Sequence, residues 1–157
     1  MRIVVVSDSH GFSHALRQVI QREGNFSLLL HLGDGAGDVQ RILPLPDGQP
    51  VLQVRGNCDL GFPELAEQLV TQEGGKTLFC THGHRLSVKY SEQPLIEAAR
   101  KAHADIALYG HTHVPVQHYF DGLYVCNPGA LHLGYYAVLE ITPQGIMWLP
   151  KTIDLMR

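Results

Sequence analysis

Five short apolar runs mark out the first two thirds of the chain, and each stops abruptly at polar residues. The first, residues 3–6, is wholly β-branched, which is the pattern of a strand buried on both faces. Residues 26–32, 51–54, 77–81 and 106–109 repeat the form. Between these runs lie segments with helical spacing. Ser13 is placed to cap a helix with Leu16, Val19 and Ile20 on one face, stopped at Gly24-Asn25. A short helical turn is expected over residues 39–43, before a loop punctuated by Pro44, Pro46 and Pro50. Pro63 opens a predicted helix with Leu65, Ala66, Leu69 and Val70 inward, and Ser91 caps another carrying Leu95, Ala98, Ala99 and Ala102. Beyond residue 113 the period shortens. Residues 114–116, 123–126, 135–141 and 146–149 read as strands separated by turns, with no amphipathic helix between them, and together predict an antiparallel meander.

Strand–helix units followed by strands predict an α/β fold with a sheet core and helices outside. The chain has 157 residues, which fits one domain over 1–157. Hydrophobic residues make up 45% and charged residues 17%, the balance of an ordinary globular chain. A formal net charge of −3 gives no bulk attraction to nucleic acid or to an anionic membrane. The apolar stretch at the N-terminus is too short for a signal-peptide core or a membrane span. Cys58, Cys80 and Cys126 are an odd number at unrelated spacings, and Cys80 and Cys126 sit within apolar stretches. A reducing compartment fits them, so a cytoplasmic location is expected.

The ten histidines draw attention to the ends of the apolar runs. Those ends carry Asp8 and His10, Asp34, Asn57, His82, and His111 with His113. In open α/β sheets ligands gather beyond the carboxyl ends of the strands, and all five groups fall there. Carboxylate, imidazole and amide oxygen suit divalent first-row metals. Seven candidates exceed the four ligands of one tetrahedral site and suffice for two ions if a carboxylate bridges. Asp38 reads more simply as a helix N-cap and Asp59 as a turn-stabilising acid. His31 and His84 read as supporting groups, and His14, His103, His118 and His132 as surface or structural residues.

Asp8-Ser9-His10, Gly33-Asp34 with Asp38, Gly56-Asn57-Cys58-Asp59, His82-Gly83-His84 and Gly110-His111-Thr112-His113 resemble, in order, the five-block signature of the calcineurin-like metallophosphoesterases. The short length and the Asn57-Cys58-Asp59 block resemble most the small bacterial and archaeal phosphodiesterase branch. The resemblance implies a four-layer αββα sandwich: two mixed β-sheets flanked by helices, with a dinuclear metal site at the strand C-terminal ends. It implies that Asp8, His10 and His113 hold one ion, that Asn57, His82 and His111 hold the second, and that Asp34 bridges them. A hydroxide between the ions would attack phosphorus. Asn57, His82 and the adjoining Cys58 become the expected catalytic positions. Manganese is the expected ion, with nickel, cobalt, iron, zinc and magnesium as alternatives.

Many members of the family have a histidine directly after the ligating asparagine, where this chain has Cys58. A thiol is a weak donor beside an imidazolium, and in the family this change accompanies a preference for diesters. Hydrolysis of a small phosphodiester is therefore the expected function. A phosphomonoesterase or nucleotide phosphatase of the same fold is one alternative. A non-catalytic scaffold, like the related subunit of the retromer coat, is the other, and the filled ligand set argues against it. Substrate choice would rest with loops around Phe12, residues 35–39, Gly61-Phe62 and residues 85–91. No nucleic-acid motif is visible. An edge strand of the meander could pair with a second copy, so a homo-oligomer is an open expectation.

Overall fold

A computed structural model of the chain describes residues 1–156. Ten strands form two five-stranded sheets. The first has the order β10-β9-β1-β2-β3, comprising β1 (Arg2–Val6), β2 (Leu28–His31), β3 (Val51–Gln53), β9 (Tyr135–Thr142) and β10 (Gly145–Thr152). The second has the order β4-β5-β6-β8-β7, comprising β4 (Gln68–Glu73), β5 (Lys76–Thr81), β6 (Ile106–Leu108), β7 (Val116–Phe120) and β8 (Leu123–Asn127).

Residue alternation along β1 explains its unbroken apolar run. Ile3 and Val5 join Leu28, Leu30, Leu78, Cys80, Ile106, Leu108 and Cys126 in the layer between the sheets. Val4 and Val6 face the other way, onto Leu16, Val19 and Ile20 of α1 (Ser13–Glu23) and Val39 and Ile42 of α2 (Ala36–Ile42). On the outside of the second sheet, Phe79 and Ala107 pack against Leu95 and Ala99 of α3 (Gln93–Lys101). The layers are therefore helix, sheet, sheet, helix, as the resemblance implies. Parallel pairs β1–β2, β2–β3, β5–β6 and β6–β8 align their carboxyl ends at one rim. Among the described residues no helix is long and apolar enough to cross a membrane.

Five local expectations are corrected. Residues 63–70 form no helix: Leu69 and Val70 belong to β4, whose positions alternate between exposed and half-buried and which pairs with β5 across Gly74-Gly75. The i, i+3, i+4 spacing there coincides with a period of two, and pairing to β5 decides between them. The closing strands form two hairpins in different sheets. β7–β8 extends the second sheet beside β6, and β9–β10 extends the first beside β1. Ser13 does not cap α1, which begins after Phe12 with no side-chain cap bond. Asp38 lies within α2, whose N-cap is Gly35. At α3 the N-cap is Glu92 with no side-chain cap bond, and Ser91, one residue earlier, accepts the Gln93 N–H on its hydroxyl at 3.1 Å.

Candidate metal centre

The loops that leave the aligned strand ends bring all seven candidate ligands to one place. Their backbones are unusual. Asp8, His10, Asp34, His111 and His113 have φ between 44° and 67°, and they are five of the eight described non-glycine residues with positive φ. That conformation costs a side-chain-bearing residue of order 1 kcal/mol or more, and such strain concentrates at functional sites. It also explains how His111 and His113, two residues apart, serve one site, since a strand would aim them at opposite faces. Close approach demands glycine beside them. A Cβ on Gly56 would lie 2.0 Å from Asp34 Oδ1, and one on Gly110 would lie 2.0 Å from Ser7 Oγ.

Asp8 is fully buried. Its Oδ2 accepts the Ser7 hydroxyl at 2.6 Å and the His111 N–H at 3.0 Å. Its Oδ1 lies 3.0 Å from His113 Nε2 and 3.4 Å from His10 Nε2. Asp34 accepts the Cys58 N–H on Oδ1 at 2.7 Å, while its Oδ2 lies 3.2 Å from His82 Nε2 and 3.9 Å from His10 Nε2. Burial alone would raise the Asp34 carboxyl. The hydrogen bond and charge of His82, with the Cys58 N–H, outweigh it and hold that carboxyl well below the usual range.

His82 is fully buried, and its Nδ1 is 2.8 Å from the Leu32 carbonyl. A carbonyl only accepts, so Nδ1 carries a proton and Nε2 is the nitrogen that faces the cluster. Nε2 lies 3.1 Å from Asn57 Oδ1, 3.2 Å from His111 Nδ1 and 3.2 Å from Asp34 Oδ2. A similar crowding recurs where His10 Nε2 and His113 Nε2 stand 3.4 Å apart beside Asp8 Oδ1. Two knots of acceptor atoms with Asp34 between them call for cations, and the oxygen and imidazole donors suit divalent metal ions. Burial lowers the basicity of His82, but its hydrogen bond to Asp34 and the charges of Asp8 and Asp34 raise it further, so a proton can meet the same demand. Burial and the charge of His82 push His111 down to about 4, so that ring is neutral, the form that donates to a metal.

Supporting groups fix these loops. His31 Nδ1 accepts the Gly33 N–H at 3.2 Å, its Nε2 donates to Ser9 Oγ at 3.0 Å, and the Ser9 hydroxyl donates to Asp38 Oδ2 at 2.6 Å. Asp59 accepts four backbone N–H groups, from Asp34, Gly35, Ala36 and Gly56, at 2.8–3.0 Å. That matches its reading as a turn-stabilising acid. Asn127 donates to the Gly110 carbonyl at 3.0 Å and to Thr112 Oγ1 at 3.1 Å, holding the loop that presents His111 and His113. His84 stands beside the cluster, its ring 5.5 Å from that of His82. Cys58 is exposed, and burial with the nearby Asp34 charge pushes its thiol up, so it stays protonated.

His132 is the residue that sequence reasoning missed. Its Nδ1 donates to the Asp8 carbonyl at 2.9 Å, and its ring lies edge-on to His10 and His113 at 5.0 and 4.8 Å. It follows no strand end in the run pattern, and only its place soon after Asn127-Pro128-Gly129 hints at the rim.

Two recesses flank the cluster. One, about 250 Å³, is lined by His10, Asp34, Asp38, Arg41, Cys58 and Phe62 among others. The second, about 360 Å³, is lined by Arg55, Gly56, Asn57, Leu60, Glu67, His84 and Arg85. The loop from Arg55 to Phe62 runs between them.

A helix–sheet–sheet–helix sandwich thus gathers buried carboxylates and imidazoles at one strand rim. The chain belongs to the calcineurin-like phosphoesterase superfamily, whose domain model matches residues 1–143. It is 28% identical over 134 residues to the probable metallophosphoesterase YsnB of Bacillus subtilis, covering 85% of this chain and 76% of that one. It is equally 28% identical, over 158 residues, to phosphodiesterase YfcE of Escherichia coli, covering 85% and 80%. A conserved Streptococcus pneumoniae protein described as a predicted phosphoesterase superposes with a TM-score of 0.75 at 28% identity, over 96% of this chain and 97% of that one. Vps29 of Chaetomium thermophilum shares the fold, with a TM-score of 0.76 at 15% identity over 98% of each chain.

Proposed function

We propose that the protein hydrolyses a small phosphodiester at a site holding two divalent metal ions. The observation that carries this reading is the position of Asp34, whose Oδ2 faces His82 Nε2 on one side and His10 Nε2 on the other. Asp8, His10 and His113 would hold one ion, and Asn57, His82 and His111 the other, with Asp34 shared. Bound there, the ions would supply Lewis acidity toward phosphoryl oxygens and lower the pKa of water toward neutrality. Manganese is the ion we assign, since mixed oxygen and imidazole donors suit it; nickel, cobalt, iron, zinc and magnesium fit the same donors.

The chain's own groups shape the rest. His82 keeps its Nδ1 proton on the Leu32 carbonyl, which aims Nε2 inward. The Cys58 N–H and the Asp59 clamp orient Asp34. The Cys58 thiol stands where an imidazolium would compensate a dianionic ester, and a neutral thiol suits the single charge of a diester. The two recesses support the same choice, because a diester has two ester arms to place and a monoester has one. YfcE carries the name phosphodiesterase, in keeping with this reading.

The test is hydrolysis of bis-p-nitrophenyl phosphate and of p-nitrophenyl phosphate by metal-stripped protein, with each ion restored singly. We expect metal-dependent cleavage favouring the diester and its loss in Asp34→Ala. No turnover with any ion by folded protein would shift the weight to a scaffold role.

A further inference from the structure

The larger recess holds a charge arrangement that ester cleavage itself does not require. Arg55, two residues past β3, and Arg85, in the turn after β5, converge on Glu67 just before β4. Arg55 Nη2 donates to Glu67 Oε1 at 3.0 Å, and Arg85 Nε donates to Oε2 at 3.2 Å. Two guanidiniums against one carboxylate leave a local excess of one positive charge. Lys89 lies close enough for its charge to act on His111 beside the recess. His84 also lines it, with Nε2 3.8 Å from Glu67 Oε1 and a buried Nδ1 that has no hydrogen-bond partner among the described residues. Leu60, 87% exposed, gives the recess an apolar wall, and Asn57 joins it to the metal cluster.

As a stabilising device this cluster is poor, because exposed ion pairs contribute little to stability. As a binding device it is well made. Glu67 fixes both guanidiniums in advance, so less side-chain freedom is lost when an anion arrives. Arg85 is 68% exposed and bonds Glu67 through Nε and Nη2, which leaves Nη1 outside that contact. The smaller recess is opposite in character, with Arg41 beside Asp38 at 3.4 Å and with Asp34 and Asp59 in its lining.

We propose that the Arg55–Arg85–His84 recess binds a second phosphate carried on one ester arm of the substrate. The inference rests on the phosphodiesterase reading and narrows it to diesters of which one arm is itself phosphorylated. The carbon skeleton of that arm lies against Leu60, and the unphosphorylated arm takes the side of Phe62.

Calorimetric titration of the manganese-loaded protein tests this without turnover, using thymidine 3′,5′-bisphosphate and thymidine 5′-monophosphate as probes. The bisphosphate should bind about tenfold more tightly, as expected for one added charge-assisted contact, and Arg85→Ala should bring the ratio near one. Equal affinities in the native protein, no binding of the bisphosphate, or a preference that survives Arg85→Ala would each overturn the subsite. Turnover of thymidine 5′-(p-nitrophenyl phosphate) is read separately. Turnover without the bisphosphate preference removes the subsite alone. The preference without turnover keeps the subsite and removes the hydrolase reading.

Discussion

Cys58 concentrates the question of substrate range in one side chain. Its N–H already serves Asp34, so a substitution that keeps the backbone tests the side chain alone. Cys58→His should raise kcat/KM for p-nitrophenyl phosphate relative to the bis-p-nitrophenyl diester by about a hundredfold, the low end of what a positioned acid supplies. An unchanged ratio would show that the thiol does not set the preference. His31 tests a different property. It is fully buried, and desolvation pushes it down to about 4 from an ordinary value near 6.5. The unfolded chain therefore binds the extra proton between those values, and stability falls as pH drops from 6.5 toward 4. The loss attributable to His31 should reach roughly 3 kcal/mol by pH 4. In His31→Gln, where an amide can still accept from Gly33 and donate to Ser9, denaturant melts across that window should fall less steeply. Parallel profiles for the two proteins would contradict the assignment.

At the scale of elements, the centre depends on loops that touch without regular pairing. Asp59 ties the loop after β2 to the loop after β3 through its four accepted N–H groups. Asp59→Ala orphans those donors and should cost about 2–5 kcal/mol in urea unfolding, with metal affinity falling in parallel. Much of this layer was legible in the sequence. The strand ends before Asp8, Asp34, Asn57, His82 and His111 are visible because apolar runs stop at residues that leave a sheet readily. Residues 63–70 were not legible, because four apolar positions satisfied helical spacing while the period of two emerged only on pairing with β5. His132 was not legible either. Its nearness to His10 and His113 comes from the crossing of the chain between sheets after β8, a long-range event with no local signal.

At the scale of the molecule, three layers of core separate chemistry from bulk. Cys80 and Cys126 lie in the layer between the sheets, where burial pushes each thiol up to about 12. Cys58 is exposed at the rim. A thiol reagent should therefore label one cysteine in the native protein and three after denaturation. A second native equivalent would mean that the sheets part more readily than their packing implies. Far from the rim, Glu23 is almost fully buried and is bonded by Arg2, by Lys151 Nζ at 2.9 Å and by the Tyr136 hydroxyl at 2.5 Å. It joins α1 to β1, β9 and β10, so the last strand is bound to the first helix. Glu23→Ala removes the acceptor shared by Arg2, Lys151 and Tyr136 and should lower stability by about 1–3 kcal/mol, read as a fall in melting temperature with the metal centre's affinity unchanged. The sequence placed Glu23 only at the end of a helix. Its partners stand 21, 113 and 128 residues away, and such a pairing becomes visible only with the sheet order.

The left-handed backbones at the rim bear on how such a chain can change over generations. Asp8, His10, Asp34, His111 and His113 occupy positions where glycine or asparagine would sit more comfortably than most residues. Under the proposed role, selection for metal binding works against that local preference at five points at once. Once it relaxes, mutational drift toward glycine and asparagine relieves strain while the inter-sheet layer keeps the sandwich intact. A lineage with this architecture can thus shed its chemistry by small steps that the fold tolerates, and the surviving shell is free to be recruited as a partner surface.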